Sequence, residues 1–524
     1  MTAAAAQLAI QDGAFTRLLN VYPTGLFVRL LRNDNEFVGN GYARQPILSA
    51  DPAVNVSDEV SKTLSSVTFT ALGGPIVYDA IDIVDSVGNQ LFEPRYPDTP
   101  TDSSGLVIIP DGGSQTIVTK FLTPAADVTT AAKVQNFFDT FKTKGQDMRT
   151  KVGDILFPTT ITTGYRGGGK VQGKGVLGPL PLTDALSGPT SRWIWSGPRT
   201  NSDTAPLVRY QGTDMKFEDM CFDGATRAQV DAGAAKGPCG FWVDPTFGTG
   251  LGVGKVRLNN VYFSWWKTAL RLGTAANNPN CDESTYYDVC FNKCDVGVEM
   301  LGEQVLGHQF HHPRFHEVGV CFNMLSGGGD LKVYGGLVAH PCSFLKFPAG
   351  SALHFGQNNN GYLISSLKLD SQATGTLLVD QYPAENLGYG YYSNIIFDAL
   401  HFPSPQIGGI EKTFWGGNTG DGVNGDGLAP AFKISGNTTL QLRSTFNLQR
   451  GMLTWNTSGA GRPRIIVENA VIFDRPGSVV TSVQQLCNLN QSRGTAWVTF
   501  RNCFRYDTLA PLADFSNTMT GLLP

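Results

Sequence analysis

No segment of this 524-residue chain approaches the roughly 20 consecutive apolar residues of a bilayer-spanning helix, which argues against membrane insertion by helices. Charge is scarce as well. Acidic and basic residues make up 16% of the chain and leave a net charge of −4, so the electrostatic footprint of a nucleic-acid binder is missing. Cysteine is absent before Cys221 and after Cys503. The nine present are odd in number and form no CxxC pair, which speaks against a zinc ribbon or a disulfide framework. Several occupy alternating strand positions where a small apolar residue would serve, and they read as reduced packing residues. The N-terminus, Met1-Thr2-Ala3-Ala4-Ala5-Ala6, lacks the basic start and long apolar run of a secretory signal. The expectation is folding in a reducing cytosol, without an encoded export signal.

What the chain does have is apolar content of 41%, too much for general disorder, and 61 glycines, which favour β structure with many turns. It also has a recurring phrase. This reads Asp219-Met220-Cys221-Phe222, Asn260-Val261-Tyr262-Phe263, Asp288-Val289-Cys290-Phe291 and His312-Pro313-Arg314-Phe315, then more loosely Ser366-Leu367-Lys368-Leu369 and Asn469-Ala470-Val471-Ile472. From Phe222 the closing positions advance by 41, 28 and 24 residues, a drifting period that suggests one winding unit with loops of variable length. A second phrase trails the first at Gly240-Phe241-Trp242-Val243, Ala269-Leu270-Arg271-Leu272, Gly297-Val298-Glu299-Met300, Gly319-Val320-Cys321-Phe322 and Ser343-Phe344-Leu345-Lys346-Phe347.

Apolar residues alternate within both phrases, as in strands with one face in a core. Two or three such strands per turn make a β-solenoid, which escapes the size limit of a single compact core by growing lengthwise. Stacked turns would bring Phe222, Phe263, Phe291 and Phe315 into one internal ladder, with the Asn and Asp positions at bends where their side chains bond backbone groups.

Four regions flank or contain this array. Residues 1–122 alternate in Leu26-Phe27-Val28-Arg29-Leu30-Leu31, Val67-Thr68-Phe69 and Ile81-Asp82-Ile83-Val84 and predict a separate, sandwich-like β domain. Its stretches Gly41-Tyr42-Ala43-Arg44-Gln45-Pro46-Ile47 and Gly88-Asn89-Gln90-Leu91-Phe92 resemble a small β domain of tailed-phage tail-fibre and virion proteins. That likeness covers about the first fifth of the chain and implies attachment to a particle. In residues 123–152, Val134, Phe137, Phe138 and Phe141 share a helical face, with Asp127 or Thr129 as candidate cap. Gly153-Asp154-Ile155-Leu156-Phe157-Pro158 follows. This order resembles the start of pectate-lyase-like right-handed parallel β-helices in phage tailspikes, where a short helix plugs the open end and shields unpaired strand edges. Residues 153–404 then form the solenoid. Residues 405–524, after a loop rich in Gly, Asn and Asp, are β in character and either continue it or form a separate tip.

Two nucleotide-binding patterns fail on inspection. Gly164-Tyr165-Arg166-Gly167-Gly168-Gly169-Lys170 places Val171 where a phosphate-binding loop needs Ser or Thr. Gly173-Lys174-Gly175-Val176-Leu177-Gly178 is followed by Pro179 rather than a helical pattern. Four histidines, His308, His311, His312 and His316, cluster in sequence, but inward-pointing Phe310 and Phe315 would spread them over different faces. No cofactor and no metal is expected.

Cleaving a glycan requires two carboxylates flanking the bond, or a base beside a uronate. Adjacent turns lie about 4.8 Å apart, so outward carboxylates on neighbouring turns fall within the needed range. Glu299, Glu317, Asp330 and Asp295 are the candidate catalytic acids. Trp265, Trp266, Tyr262 and the Tyr286-Tyr287 pair offer rings for sugar faces, and Arg314 joins Trp265, Trp266, Tyr262 and Tyr286 as a candidate glycan contact. Acids on a solenoid surface are ordinarily just solvated, and the rings are equally suited to packing between turns or subunits. The tailspike resemblance implies a homotrimer on the virion, assembled in the host cytoplasm, that contacts phage tail or capsid proteins and recognises host surface polysaccharide, with or without cutting it. A non-enzymatic head fibre or decoration protein is the alternative.

Overall fold

The computed structural model of the chain describes residues 7–8, 26–33, 35–47, 61–63, 67–88, 106–122, 129–140, 147–163, 169–173, 190–200, 205–246, 255–274, 280–302, 304–325, 329–348, 361–370, 373, 376–381, 394–401, 406–407, 410–411, 430–446, 448–457, 461–473, 482–505 and 508–522. They fall into two compact units, Met1–Val128 and Thr129–Pro524.

In the first unit, strand Leu26–Arg32 pairs antiparallel with Asn35–Glu36, Gln45–Ile47 and Ala80–Asp85. Ser114–Leu122 pairs antiparallel with Ser61–Thr63 and Val67–Thr70, and parallel with Gln7–Leu8. Alternation puts Val28, Leu30, Val67, Phe69 and Val84 in its core. The Tyr-Ala-Arg stretch earns its residue types: Tyr42 stacks on Phe69 at 5.7 Å, and Arg44 forms an ion pair with Glu36 at 2.6 Å.

The second unit is a parallel β-helix. Among the described residues, one sheet of 19 strands and another of 10 run along it, and successive turns pair in parallel register. A turn passes along Thr285–Tyr287, bends at Asp288, continues as Cys290–Asn292, bends again at Lys293, and crosses as Val296–Met300 to the second sheet. Each of these strands pairs with the strand one turn later: Gln309–His311, Arg314–His316 and Val320–Met324.

The first bend explains the recurring phrase. Asp219, Asn260, Asp288, His312, Ser366 and Asn469 all hold φ between +50° and +58°, the left-handed region that Asn and Asp tolerate better than other side chains. Three residues on, Phe222, Phe263, Phe291 and Phe315 point inward and stack in order, with centroids 5.2, 5.5 and 5.1 Å apart. No single turn buries such a ring; the stack of turns does. All nine cysteines are free thiols; seven are buried, and Cys290 and Cys342 are half-buried.

Helix Ala131–Thr140 buries Val134, Phe137 and Phe138 against the first turn, where Gln135 bonds the backbone of Thr162 in both directions. Phe141 and Asp127 lie outside the described residues. The cap is Thr130, one residue past the expected Thr129, and its hydroxyl accepts from the Lys133 N–H at 3.3 Å. At the other end both sheets run on past residue 405: Thr439–Arg443, Arg464–Glu468 and Thr495–Arg501 extend the larger sheet in parallel. The final strand, Phe515–Thr520, reverses direction and pairs antiparallel with Thr495–Arg501.

Candidate functional site

Each strand before the first bend presents one side chain outward just ahead of the left-handed residue. At three successive turns this position is Tyr287, His311 and Tyr334, which the register places side by side. Their rings stack with centroids 4.6 and 5.0 Å apart, and Tyr287 is 42% exposed. Burial, with some repulsion from His312, holds the His311 ring below its ordinary pKa, so a neutral imidazole sits between two phenols near pH 7. Asp288 and His312 flank the column at the bend, 3.6 Å apart, and Lys332 and Asp330 approach within 3.3 Å beside Tyr334. The result is an outward column of stacked rings that presents ring edges, hydroxyls and an imidazole beside charged groups, and it leaves the outer faces of the end rings, Tyr287 next to Asn259 and Tyr334 next to Ser365, for a sugar's apolar face.

A second outward face lies between the two bends. Arg192 grips buried Asp223 through Nε and Nη2, both at 2.8 Å, and reaches Asp154 at 3.6 Å. Burial pushes the Asp223 carboxyl up to about 6 against the pull of Arg192, and its Oδ1 is buried without a hydrogen-bond partner. Further along the same column stand Ser264, Asn292 and His316.

The acids named from sequence are spread over these surfaces. Glu299 faces outward on the second sheet as expected, but Arg271 holds its carboxylate at 2.7 Å and little of it meets solvent. Asp295 is bound by Lys236 at 2.6 Å. Glu317 and Asp330 are exposed and occupy left-handed positions, Glu317 at the second bend and Asp330 just ahead of Leu331–Tyr334. The ion pairs of Glu299 and Asp295 are with basic residues, not with one another.

The aromatic candidates divide. Trp266 and Tyr286 are fully buried: the Trp266 indole N–H donates to the Phe222 carbonyl at 2.8 Å, and Tyr286 stacks inside on Phe310 at 4.3 Å. Neither leaves a ring face for a sugar, because the inward half of the alternation claims them. Tyr262 points outward yet is only 6% exposed. Trp265 is half-buried at the second bend under the Lys236 ammonium, 5.7 Å from its ring, and Arg314 is half-buried beside Cys290. Tyr334 and the stacking role of His311 escaped the sequence reading. The signal was present: all three rings directly precede the bend residue or its glycine equivalent, at Tyr287-Asp288, His311-His312 and Tyr334-Gly335.

The four clustered histidines do separate. His308 is buried beside Tyr286, His311 lies in the outer strip, His312 is at the first bend and His316 faces out between the bends.

No protein-family model matches the chain, and no characterised protein sequence matches it. Among solved structures it is similar to the catalytic unit of a thermostable GH87 alpha-1,3-glucanase from Streptomyces thermodiastaticus strain HF3-3, at 10% identity and a TM-score of 0.40, covering 88% of this chain and 94% of that one. An alginate lyase from Paenibacillus sp. str. FPU-7 aligns at 9% identity and a TM-score of 0.33, over 67% of this chain and 95% of the lyase. The enzymatically active domain of bacteriophage CBA120 tailspike protein 2 aligns at 12% identity and a TM-score of 0.30, over 75% of this chain and 48% of the tailspike domain.

Proposed function

We propose that this chain is a phage tailspike or tail fibre that binds a host surface polysaccharide along the outside of its β-helix. The observation that carries the reading is the outward Tyr287–His311–Tyr334 column, whose rings repeat at the spacing of the turns. A polymer of sugars is itself repetitive and extended, so a strip of this kind suits it better than a compact metabolite. The β domain of the first unit, with its Tyr42 and Arg44 packing, supplies the particle-attaching end in this reading, and three copies assemble on the virion.

Binding is better supported than cutting. Glu299, Asp295 and Asp330 are each paired with a basic side chain, and Glu317 and Asp330 occupy different positions around the turn, at the second bend and ahead of Leu331–Tyr334.

The test is a panel of purified bacterial capsules and lipopolysaccharides, scored for retention of the protein and for new reducing ends or unsaturated uronate absorbance. Retention that falls when Tyr287 and Tyr334 are replaced supports the reading. Products without loss on those replacements would move the site elsewhere on the solenoid. Neither retention nor products would favour a purely structural head fibre.

A further inference from the structure

We propose that His316, His340 and Glu317 form a binding site for a first-row divalent cation of the zinc class, stapling two turns of the solenoid. The Phe315–Val338 register carries the chain two residues on to Glu317 and His340, which therefore lie at matching positions of adjacent turns, beside His316. The Nε2 atoms of His316 and His340 are 3.0 Å apart, with the rings nearly perpendicular at 83°. One oxygen of Glu317 and one nitrogen of each imidazole all lie within 4.8 Å of one another.

The spacing suits a shared ion. Two metal–nitrogen bonds of about 2.0–2.1 Å that meet at about 90–110° place their nitrogens about 2.9–3.4 Å apart. A single N–H···N bond between the rings has a similar length, so the tautomer decides what the pair offers. His316 Nδ1 lies 2.8 Å from Asn292 Oδ1 of the preceding turn, an acceptor that keeps the proton on Nδ1 and leaves the Nε2 lone pair facing His340. An outer amide or carboxylate that orients a ligating imidazole in this way is the usual support for a bound metal. Glu317 contributes the anionic oxygen. Its left-handed backbone, φ +49°, turns it at the bend, and its half-exposed carboxylate, 3.9 Å from His316 Nδ1, rotates towards the Nε2 side to reach the ion. Two nitrogens and one carboxylate leave a fourth position to water.

The site links residues 292, 316 and 340 across three successive turns. Binding to the folded chain alone would therefore stabilise the stack by mass action.

The experiment is a zinc titration of the full, tag-free, EDTA-treated chain by calorimetry, with thermal melts in parallel. One equivalent per chain and a rise in Tm that EDTA reverses are expected. His340→Ala should lose this uptake, His312→Ala should keep it, and Asn292→Ala should weaken it roughly 10- to 100-fold. No saturable uptake by the wild type, or unchanged uptake by His340→Ala, overturns the proposal. Should His340→Ala fail to fold, cobalt(II) absorption of the wild type decides the matter: a stoichiometric visible band supports the site, and its absence overturns it.

Discussion

The side-chain amide of Asn260 donates to Asp219 Oδ1 at 2.8 Å across two turns of the solenoid, and both residues hold left-handed backbones, φ +51° and +55°. Asn502 and Asn469 repeat the arrangement at 2.6 Å farther along. One residue type thus meets two demands at this bend: it accepts the strained φ, and it bonds along the helix axis to its neighbour.

Asn260→Ala is expected to destabilise the second unit by roughly 2–3 kcal/mol, combining the left-handed penalty with a lost hydrogen bond. Asn260→Gly relieves the backbone and should cost only about 1 kcal/mol. Denaturant melts distinguish them. Equal losses would mean that the bend does not govern this position.

Phe291 is fully buried between Phe263 and Phe315, so Phe291→Ala opens a cavity in the middle of the ladder and should cost about 3–5 kcal/mol. Phe291→Leu keeps most of the volume and should cost under about 1.5 kcal/mol. Unfolding free energies report the contrast, and a mild alanine variant would show that the stack is not continuous in solution.

Tyr287→Ala removes an exposed ring and Tyr334→Ala a half-buried one, each stacked on His311, so each melt should fall by no more than about 0.5–1.5 kcal/mol. Polysaccharide binding should weaken several-fold for each, in line with about 0.5–1.5 kcal/mol per stacking contact. Surface immobilisation of the polysaccharide measures this directly. Undiminished binding in the double variant would remove the strip from the recognition surface.

Two buried groups should give opposite pH slopes. Burial raises Asp223 from 3.8 to about 6, so the folded state holds that proton more tightly than the unfolded chain, and the stability it confers at low pH is lost as pH rises from about 4 to 6. Burial lowers His308 from 6.5 to about 4, with the Cys281 carbonyl partly opposing, so the stability it confers is present above 6.5 and lost as pH falls towards 4. Each is on the order of 3 kcal/mol at most. The wild type should show a flattened profile over this range. Against it, Asp223→Asn should lose stability more steeply on acidification, and His308→Gln should gain. Parallel profiles for all three proteins, from denaturant melts between pH 4 and 7, would contradict both assignments.

Much of the fold was legible because a solenoid repeats its local rules. The Asn or Asp of the phrase announces a left-handed bend, and the Phe three residues later announces the inward ladder, whatever length of loop separates one copy from the next. The site was less legible. Tyr286 and Tyr287 are identical in type, yet one is sealed inside and the other is 42% exposed, and only the parity of the strand about Asp288 separates them. Glu299 was correctly placed outward, but its partner Arg271 comes from another turn, 28 residues earlier.

By itself the sequence determined the β character, the winding, the bend positions and the aromatic core, because these follow from alternation and backbone preference within a few residues. Tertiary structure alone decided which side chains meet across turns: Tyr287 with His311 and Tyr334, His316 with His340, and Arg192 with Asp223. The physical reason is that loops of variable length between the strands hide the register, while parallel backbone pairing sets it to the residue.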